Sequence, residues 1–206
     1  KQNFSLIEKY SKFFGIHNKT LKPTIYLNDF EKQKAQTILN YDSSKKYIGI
    51  NPFAKWKNKQ WILQKYIFVI DELLKRDFRV VLLGDKIDES LSTKNENLIN
   101  LTGKLNKREL FAVVNSLDIL LTTDSAIMHI AQSFSIPVVA IFGPTVQGFG
   151  FWCPNENDIL METSLECRPC HLHGGNICKK GHFNCMKNID ENEVLKNILL
   201  GLQNEK

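Results

Sequence analysis

The sequence predicts an α/β domain built on a Rossmann-like, doubly wound parallel sheet of about five or six strands. Three observations predict it. The apolar runs YIGI at 47–50, RVVLL at 79–83 and PVVAIF at 137–142 are continuous rather than alternating, as in strands buried on both faces. Helical patterns separate these runs, which is the signature of parallel strands joined by crossover helices. The polar and Gly/Pro-marked loops that could carry chemistry follow the strands, where sheets of this kind bind ligands.

The elements follow in order. Residues 1–30 read as helical and then extended near 23–27, with too little apolar periodicity to make a domain. A short helix is expected over 31–41, then the strand 47–50. Over 60–76, Trp61, Ile62, Tyr66, Ile70, Leu73 and Leu74 recur at helical spacing and predict a helix with a broad apolar face. The strand 79–83 stops at Gly84, and 98–101 reads as a short third strand. Asn106 and Glu109 have capping-box spacing, so a helix starts there and runs to about 116. A strand at 119–122 leads to a helix at 125–134, capped by Asp124 or Ser125 and facing the sheet with Ile127, Ile130, Ala131 and Phe134. Gly143-Pro144 closes the strand 137–142. Residues 158–161 make a last strand, and Asp190 with Glu193 opens a final helix to about 202.

Composition narrows the class. With 206 residues, 43% apolar and 24% charged, the chain is neither disordered nor collagen-like. No apolar run approaches the roughly 20 residues that span a bilayer. The net charge of +5 resides on 1–46, with nine lysines against four acids, while 47–206 is balanced. A nucleic-acid binder concentrates its excess on the folded domain, so no nucleic-acid partner is expected. Residues 1–46 read as a solvated connecting segment and 47–203 as the domain. The chain begins with Lys1 and shows no signal-peptide pattern, so it is expected to be a piece of something longer. Cys167, Cys170, Cys178 and Cys185 crowd together and Cys153 stands apart. This is not a disulfide framework spread through a secreted domain, and a cytoplasmic protein is expected.

Four segments could carry chemistry. The loop 51–61, NPFAKWKNKQW, lacks both the Walker spacing and G-x-G-x-x-G, yet it leads from a strand to a helix start and holds three lysines. It is either an exposed basic loop or a phosphate-facing one. In the second segment, Asp124 to His129, His129 lies about 200° around the helix from Ile127 and so points away from the sheet-facing stripe. There it is solvated, or it faces a cleft where Asp124 and His129 could hold sugar hydroxyls and the helix amides a phosphate. The third, Phe142-Gly143-Pro144-Thr145, is a forced turn at the same sheet edge, and Thr145 could reach a phosphate. The fourth is the cluster Cys167-x2-Cys170-x7-Cys178-x6-Cys185, with His171, His173 and His182 interspersed. Its first pair has zinc-knuckle spacing, but the second half does not repeat it. A structural zinc, reduced thiols stabilising a loop, and a disulfide all remain open.

Taken in order, these strings resemble the C-terminal half of the lipopolysaccharide heptosyltransferases, glycosyltransferase family nine. The matching strings are N-P-F-A with K-Q-W eight residues after the Asn, V-V-L-L-G-D, N-L-T-G-K with Leu110, T-D-S-A-I-M-H, V-A-I-F-G-P-T, and C-R-P-C with a later C-x6-C-M. The resemblance covers about residues 1–203. It implies the second Rossmann-like domain of a two-domain GT-B enzyme that transfers heptose from ADP-heptose to the lipopolysaccharide inner core with inversion and no catalytic metal. It implies that Lys59 neutralises the diphosphate, that Ala54 and Lys55 lie on the phosphate loop and that Leu105 flanks the adenine. Asp88 or Glu89 would meet the ribose, Asp124 and His129 would grip the sugar, and Ser125, Ala126 and Ile127 would offer amides. Phe53 and Ala126 stand where the family more often has glycine, and a side chain at either position could narrow the pocket and change which sugar fits.

A general base for the acceptor hydroxyl is still needed. No acid in 47–206 is an obvious candidate, so the base and the acceptor site are expected on the preceding domain, and this chain is expected to bind donor without transferring it. An acceptor carrying lipid would place the protein at the inner face of the inner membrane, where the basic leading segment could make peripheral contact. Two other readings use the same residues: a GT-B transferase taking a UDP-sugar, and a non-catalytic interaction module with zinc in its Cys cluster.

Overall fold

A computed structural model of the chain describes residues 6–16 and 22–203. Its centre is a six-stranded sheet in the order β3-β2-β1-β4-β5-β6, every neighbouring pair parallel. The strands are β1 (Tyr47–Asn51), β2 (Arg79–Leu82), β3 (Leu98–Asn100), β4 (Ile119–Thr123), β5 (Val138–Phe142) and β6 (Ile159–Glu162). The order reverses at β1, between β2 and β4, as in the doubly wound arrangement that the apolar runs predict.

Side-chain alternation along these strands builds a core on each face. Ile48 and Ile50 of β1, Ile119 and Leu121 of β4, and Val139 and Ile141 of β5 meet α3 (Leu63–Lys75) and α7 (Glu191–Gln203) through Tyr66, Ile70, Leu73, Val194 and Ile198. Tyr47, Leu120, Val138, Ala140 and Phe142 face the other way, toward α2 (Asp29–Leu39), α4 (Lys107–Asn115) and α5 (Ala126–Ser133). Gly49 marks a close approach on that second face. A Cβ there would come within 2.4 Å of Leu117 Cδ1 and 3.0 Å of Leu120 Cδ1.

The leading segment holds α1 (Leu6–Phe13) and α2. Its 1–5 and 17–21 lie outside the described residues. The segment expected to connect this domain to another also contributes to the domain's own core, because Ala35 and Leu39 of α2 are fully buried among the second set of residues. A capping box starts α2 two residues before the expected position. Asn28 Oδ1 accepts from the Glu31 N–H at 2.9 Å, and Glu31 accepts in return from the Asn28 N–H at 2.9 Å. The Glu31 carboxylate also pairs with Arg108 of α4 at 2.5 Å, which holds it below the ordinary glutamate range. The lysines of this segment are not simply solvated. Lys34 pairs with Glu109 at 2.6 Å, Lys46 with Asp118 at 3.2 Å, and Lys45 with Asp77.

Several boundaries shift by one to three residues. The helix expected from residue 60 begins at Leu63, after a single 3-10 turn at Lys57–Lys59, because backbone pairing of Asn58 with Gly175 diverts the chain first. The second expected capping box is one-sided. Asp190 accepts from the amides of Asn192 (2.8 Å) and Glu193 (3.2 Å), while Glu193 pairs with Lys196 at 3.7 Å. The box at Asn106 and Glu109 is complete.

If α2 is part of the core, Leu39→Ala should cost about 2–5 kcal/mol in urea unfolding, the range for truncating a fully buried leucine. A cost below about 0.5 kcal/mol would return α2 to the surface.

Candidate active site

The carboxyl ends of β1 and β4 adjoin at the point where the strand order reverses, and the chain leaves both ends into loops. Asn51 ends β1 opposite Thr122. Its buried side-chain amide lies 3.1 Å from both Thr122 Oγ1 and Ser125 Oγ and 3.0 Å from the Phe53 carbonyl. One amide thus fastens the 51–61 loop to the 122–125 loop. Asn51 stood inside a recognised string, but nothing in the sequence showed that it ties two strand ends together.

Lys59 projects from the 3-10 turn of the first loop, and its ammonium lies 2.6 Å from Asp124 Oδ2. Both side chains are about nine-tenths buried, at 11% and 10% exposure. Thr145, just past β5, donates to the same Oδ2 at 2.8 Å. Loops after three strands thus meet at one carboxylate. Among the described residues Asp124 Oδ1 accepts no hydrogen bond.

The expected cap of α5 is absent. Ser125 occupies the N-cap position without a side-chain cap, its hydroxyl being taken by Asn51 and Thr122, and Asp124 is taken by Lys59 and Thr145. Among the described residues, no side chain therefore caps the first amides of α5, where the dipole favours an anion. Ala126 is exposed there and Ile127 is buried. The buried face is turned slightly from the expected stripe. Met128 and Gln132 join Ile127 and Ala131, while Ile130 and Phe134 are only partly covered. His129 is half-buried. Burial pushes its pKa down, Lys59 adds to that, and Asp124 and Gln132 oppose it.

The remaining expected residues lie further round the same edge. Ala54 is half-buried, and its carbonyl accepts from Gln60 at 3.0 Å. Lys55 is exposed, with its ammonium 5.4 Å from the centroid of the Trp56 ring. The Asp88 carboxylate accepts from the Ser90 amide at 2.7 Å, and Glu89 accepts from Ser92 at 2.6 Å and Asn100 at 3.2 Å. Both acids therefore brace their own loop in this state. Leu105 is half-buried against the second core. The Phe53 ring lies over Gly84, where a Cβ would come within 2.5 Å of it.

The Cys-rich loop packs behind this edge. The four clustered cysteines are free thiols, with Cys167 Sγ 3.9 Å from His182 Nε2. Among the described residues, no group of three or more His, Cys, Asp or Glu side chains is arranged to hold a metal ion. Burial raises the thiols of Cys170 and Cys185. Burial also acts upward on Cys178, but backbone amides at 180–183 outweigh it and lower that thiol. Further along, Asn58 N–H donates to the Gly175 carbonyl at 3.0 Å, and Gly175 N–H donates to Asn58 Oδ1 at 2.8 Å, next to Lys59.

The model of glycosyltransferase family 9 (heptosyltransferase) matches residues 1–180. The chain belongs to this family. Among curated relatives, lipooligosaccharide heptosyltransferase 2 of Campylobacter jejuni is 28% identical over 177 residues, covering 81% of this chain and 55% of that protein. Among solved structures, a family 9 glycosyl transferase from Veillonella parvula superposes with a TM-score of 0.79 at 21% identity, over 100% of this chain and 61% of that one. The E. coli ADP-heptose LPS heptosyltransferase II superposes with a TM-score of 0.70 at 20% identity, over 89% and 54%. The chain spans about half the length of such relatives. The two superpositions support a shared fold, and the GT-B expectation agrees with it. No helix among the described residues is long and apolar enough to cross a membrane.

The lowered pKa of His129 has a sign that can be checked. The unfolded chain takes up the proton first, so stability should fall as pH drops through the ordinary histidine value of about 6.5. Between about pH 7.5 and about pH 5.5, His129→Gln should show a smaller loss in urea unfolding than the parent protein. An equal loss would mean that His129 is not desolvated.

Proposed function

We propose that this chain is the donor-binding half of an inverting glycosyltransferase that moves a heptose from ADP-heptose to the lipopolysaccharide inner core. The observation that carries the reading is the buried Lys59–Asp124 pair, placed beside the uncapped start of α5 at the topological switch point. Family membership and the E. coli relative's name as an ADP-heptose LPS heptosyltransferase support ADP-heptose as the donor.

The chemistry follows from the charges. As the bond from the anomeric carbon to the diphosphate breaks, negative charge develops on the leaving group. Lys59 and the α5 amides are already oriented toward such charge, so little reorganisation is needed. A diphosphate arriving at Lys59 shares the ammonium with Asp124. Asp124 Oδ1 and the imidazole of His129, neutral near pH 7, then serve the sugar hydroxyls. Thr145 keeps Asp124 in place. The acceptor and the base that deprotonates it belong to the part of the enzyme outside this chain. The reaction takes place in the cytoplasm at the inner face of the inner membrane, where a lipid-carrying acceptor resides.

Lys59→Ala should weaken ADP and ADP-heptose binding alike by about 1.5–3 kcal/mol, the value of a charge-assisted contact. Unchanged affinity in calorimetry would remove Lys59 from the site. Asp124→Asn should weaken ADP-heptose more than ADP. Equal losses for the two ligands would sink the assignment of Asp124 to the sugar.

A further inference from the structure

Arg168, on the loop after β6, lies behind the site with its side chain 6% exposed. Its guanidinium is directed at five acceptors. Nε donates to the Gly143 carbonyl and Nη1 to the Thr163 carbonyl. Nη2 reaches the carbonyls of Phe142 at 3.1 Å and Thr145 at 2.9 Å, and the Glu162 carboxylate at 2.8 Å. Three of the four carbonyls belong to the single turn 142–145. The amides of Cys170 and His171 take the fourth carbonyl of that turn, Pro144, at 3.1 and 3.4 Å. Every backbone acceptor of the turn is therefore engaged by residues 168–171. What the turn presents on its other side is the Thr145 hydroxyl, 2.8 Å from Asp124 Oδ2.

We infer that Arg168 is a positioning residue for the donor site, setting Thr145 and, through it, the Asp124 carboxylate that pairs with Lys59. The inference rests on the proposed reading of those three residues as the nucleotide-sugar site. Only a guanidinium offers five N–H groups in a rigid planar fork. An ammonium has three hydrogens on one nitrogen and cannot serve all five acceptors. The role therefore belongs to the shape of the group as well as to its charge. Glu162, with a side chain 32% exposed, balances that charge from the rim and touches nothing in the turn through this contact.

The test is a double-mutant cycle on the intact protein, with ADP-heptose affinity read by calorimetry and local order by amide hydrogen exchange. Arg168→Met and Arg168→Lys should each weaken binding by about tenfold or more, about 1.4 kcal/mol. Glu162→Gln removes only a partly exposed partner and should stay within about threefold. Arg168→Met combined with Thr145→Val should bind no more weakly than Arg168→Met alone, because both changes break one chain of contacts. Exchange should rise at Cys170 and His171, whose amides bond the Pro144 carbonyl, while β1 and β4 keep their protection.

Additive losses in the cycle, or a uniform rise in exchange, would reduce Arg168 to a general staple of the fold and overturn the inference. Full affinity in Arg168→Met would overturn it as well. If the parent protein itself fails to bind ADP-heptose, the donor reading fails. The exchange pattern then decides the positioning role by itself, and protection kept at Cys170 and His171 in Arg168→Met overturns it.

Discussion

A lysine and an aspartate, each about nine-tenths buried, sit 2.6 Å apart where the strand order of the sheet reverses. Taking two charges out of water costs several kcal/mol, and their mutual attraction repays that only when further hydrogen bonds hold the geometry. Much of the structure around the pair supplies those bonds. Asn51 ties the end of β1 to Thr122 and Ser125. Thr145 donates to Asp124, and Asn58 anchors the turn from which Lys59 projects. A pair so expensive to bury is poor stability engineering. It is sensible where a lysine must be kept oriented in a nearly dry place until an anion arrives.

The Cys-rich loop takes its structural meaning from the same constraint. At its start Arg168 grips the turn that carries Thr145, and a few residues on Gly175 pairs with Asn58 next to Lys59. One loop thus braces two of the three segments that meet at Asp124. The cysteines have part of a metal-binding spacing, yet the contacts that reach the site come from an arginine, a glycine and backbone amides between and beside them.

The sheet was legible because strands buried on both faces must be continuously apolar, and 47–50, 79–83 and 137–142 are. The meeting of these loops was legible for a related reason, since loops at carboxyl ends of parallel strands share one edge of the sheet. Lys59, Asp124 and Thr145 stood in three such loops, and the structure brings them together. The core role of α2 was not legible. Its anchors, Ala35 and Leu39, give a faint periodicity, and its capping residue Asn28 lies before the expected start. The missing cap of α5 was not legible because Asp124 and Ser125 are both good caps locally, and long-range partners claim them both. Arg168 was invisible as anything but a member of C-R-P-C, because backbone carbonyls as acceptors leave no trace in side-chain identity.

The most direct test of the account is calorimetric titration of the protein with ADP-heptose, ADP and UDP. The account predicts that ADP-heptose and ADP bind, ADP-heptose more tightly because Asp124 and His129 engage the sugar, and that UDP does not compete. Preference for UDP, or silence toward all three, would contradict the assignment of the Lys59–Asp124 edge to an ADP-sugar.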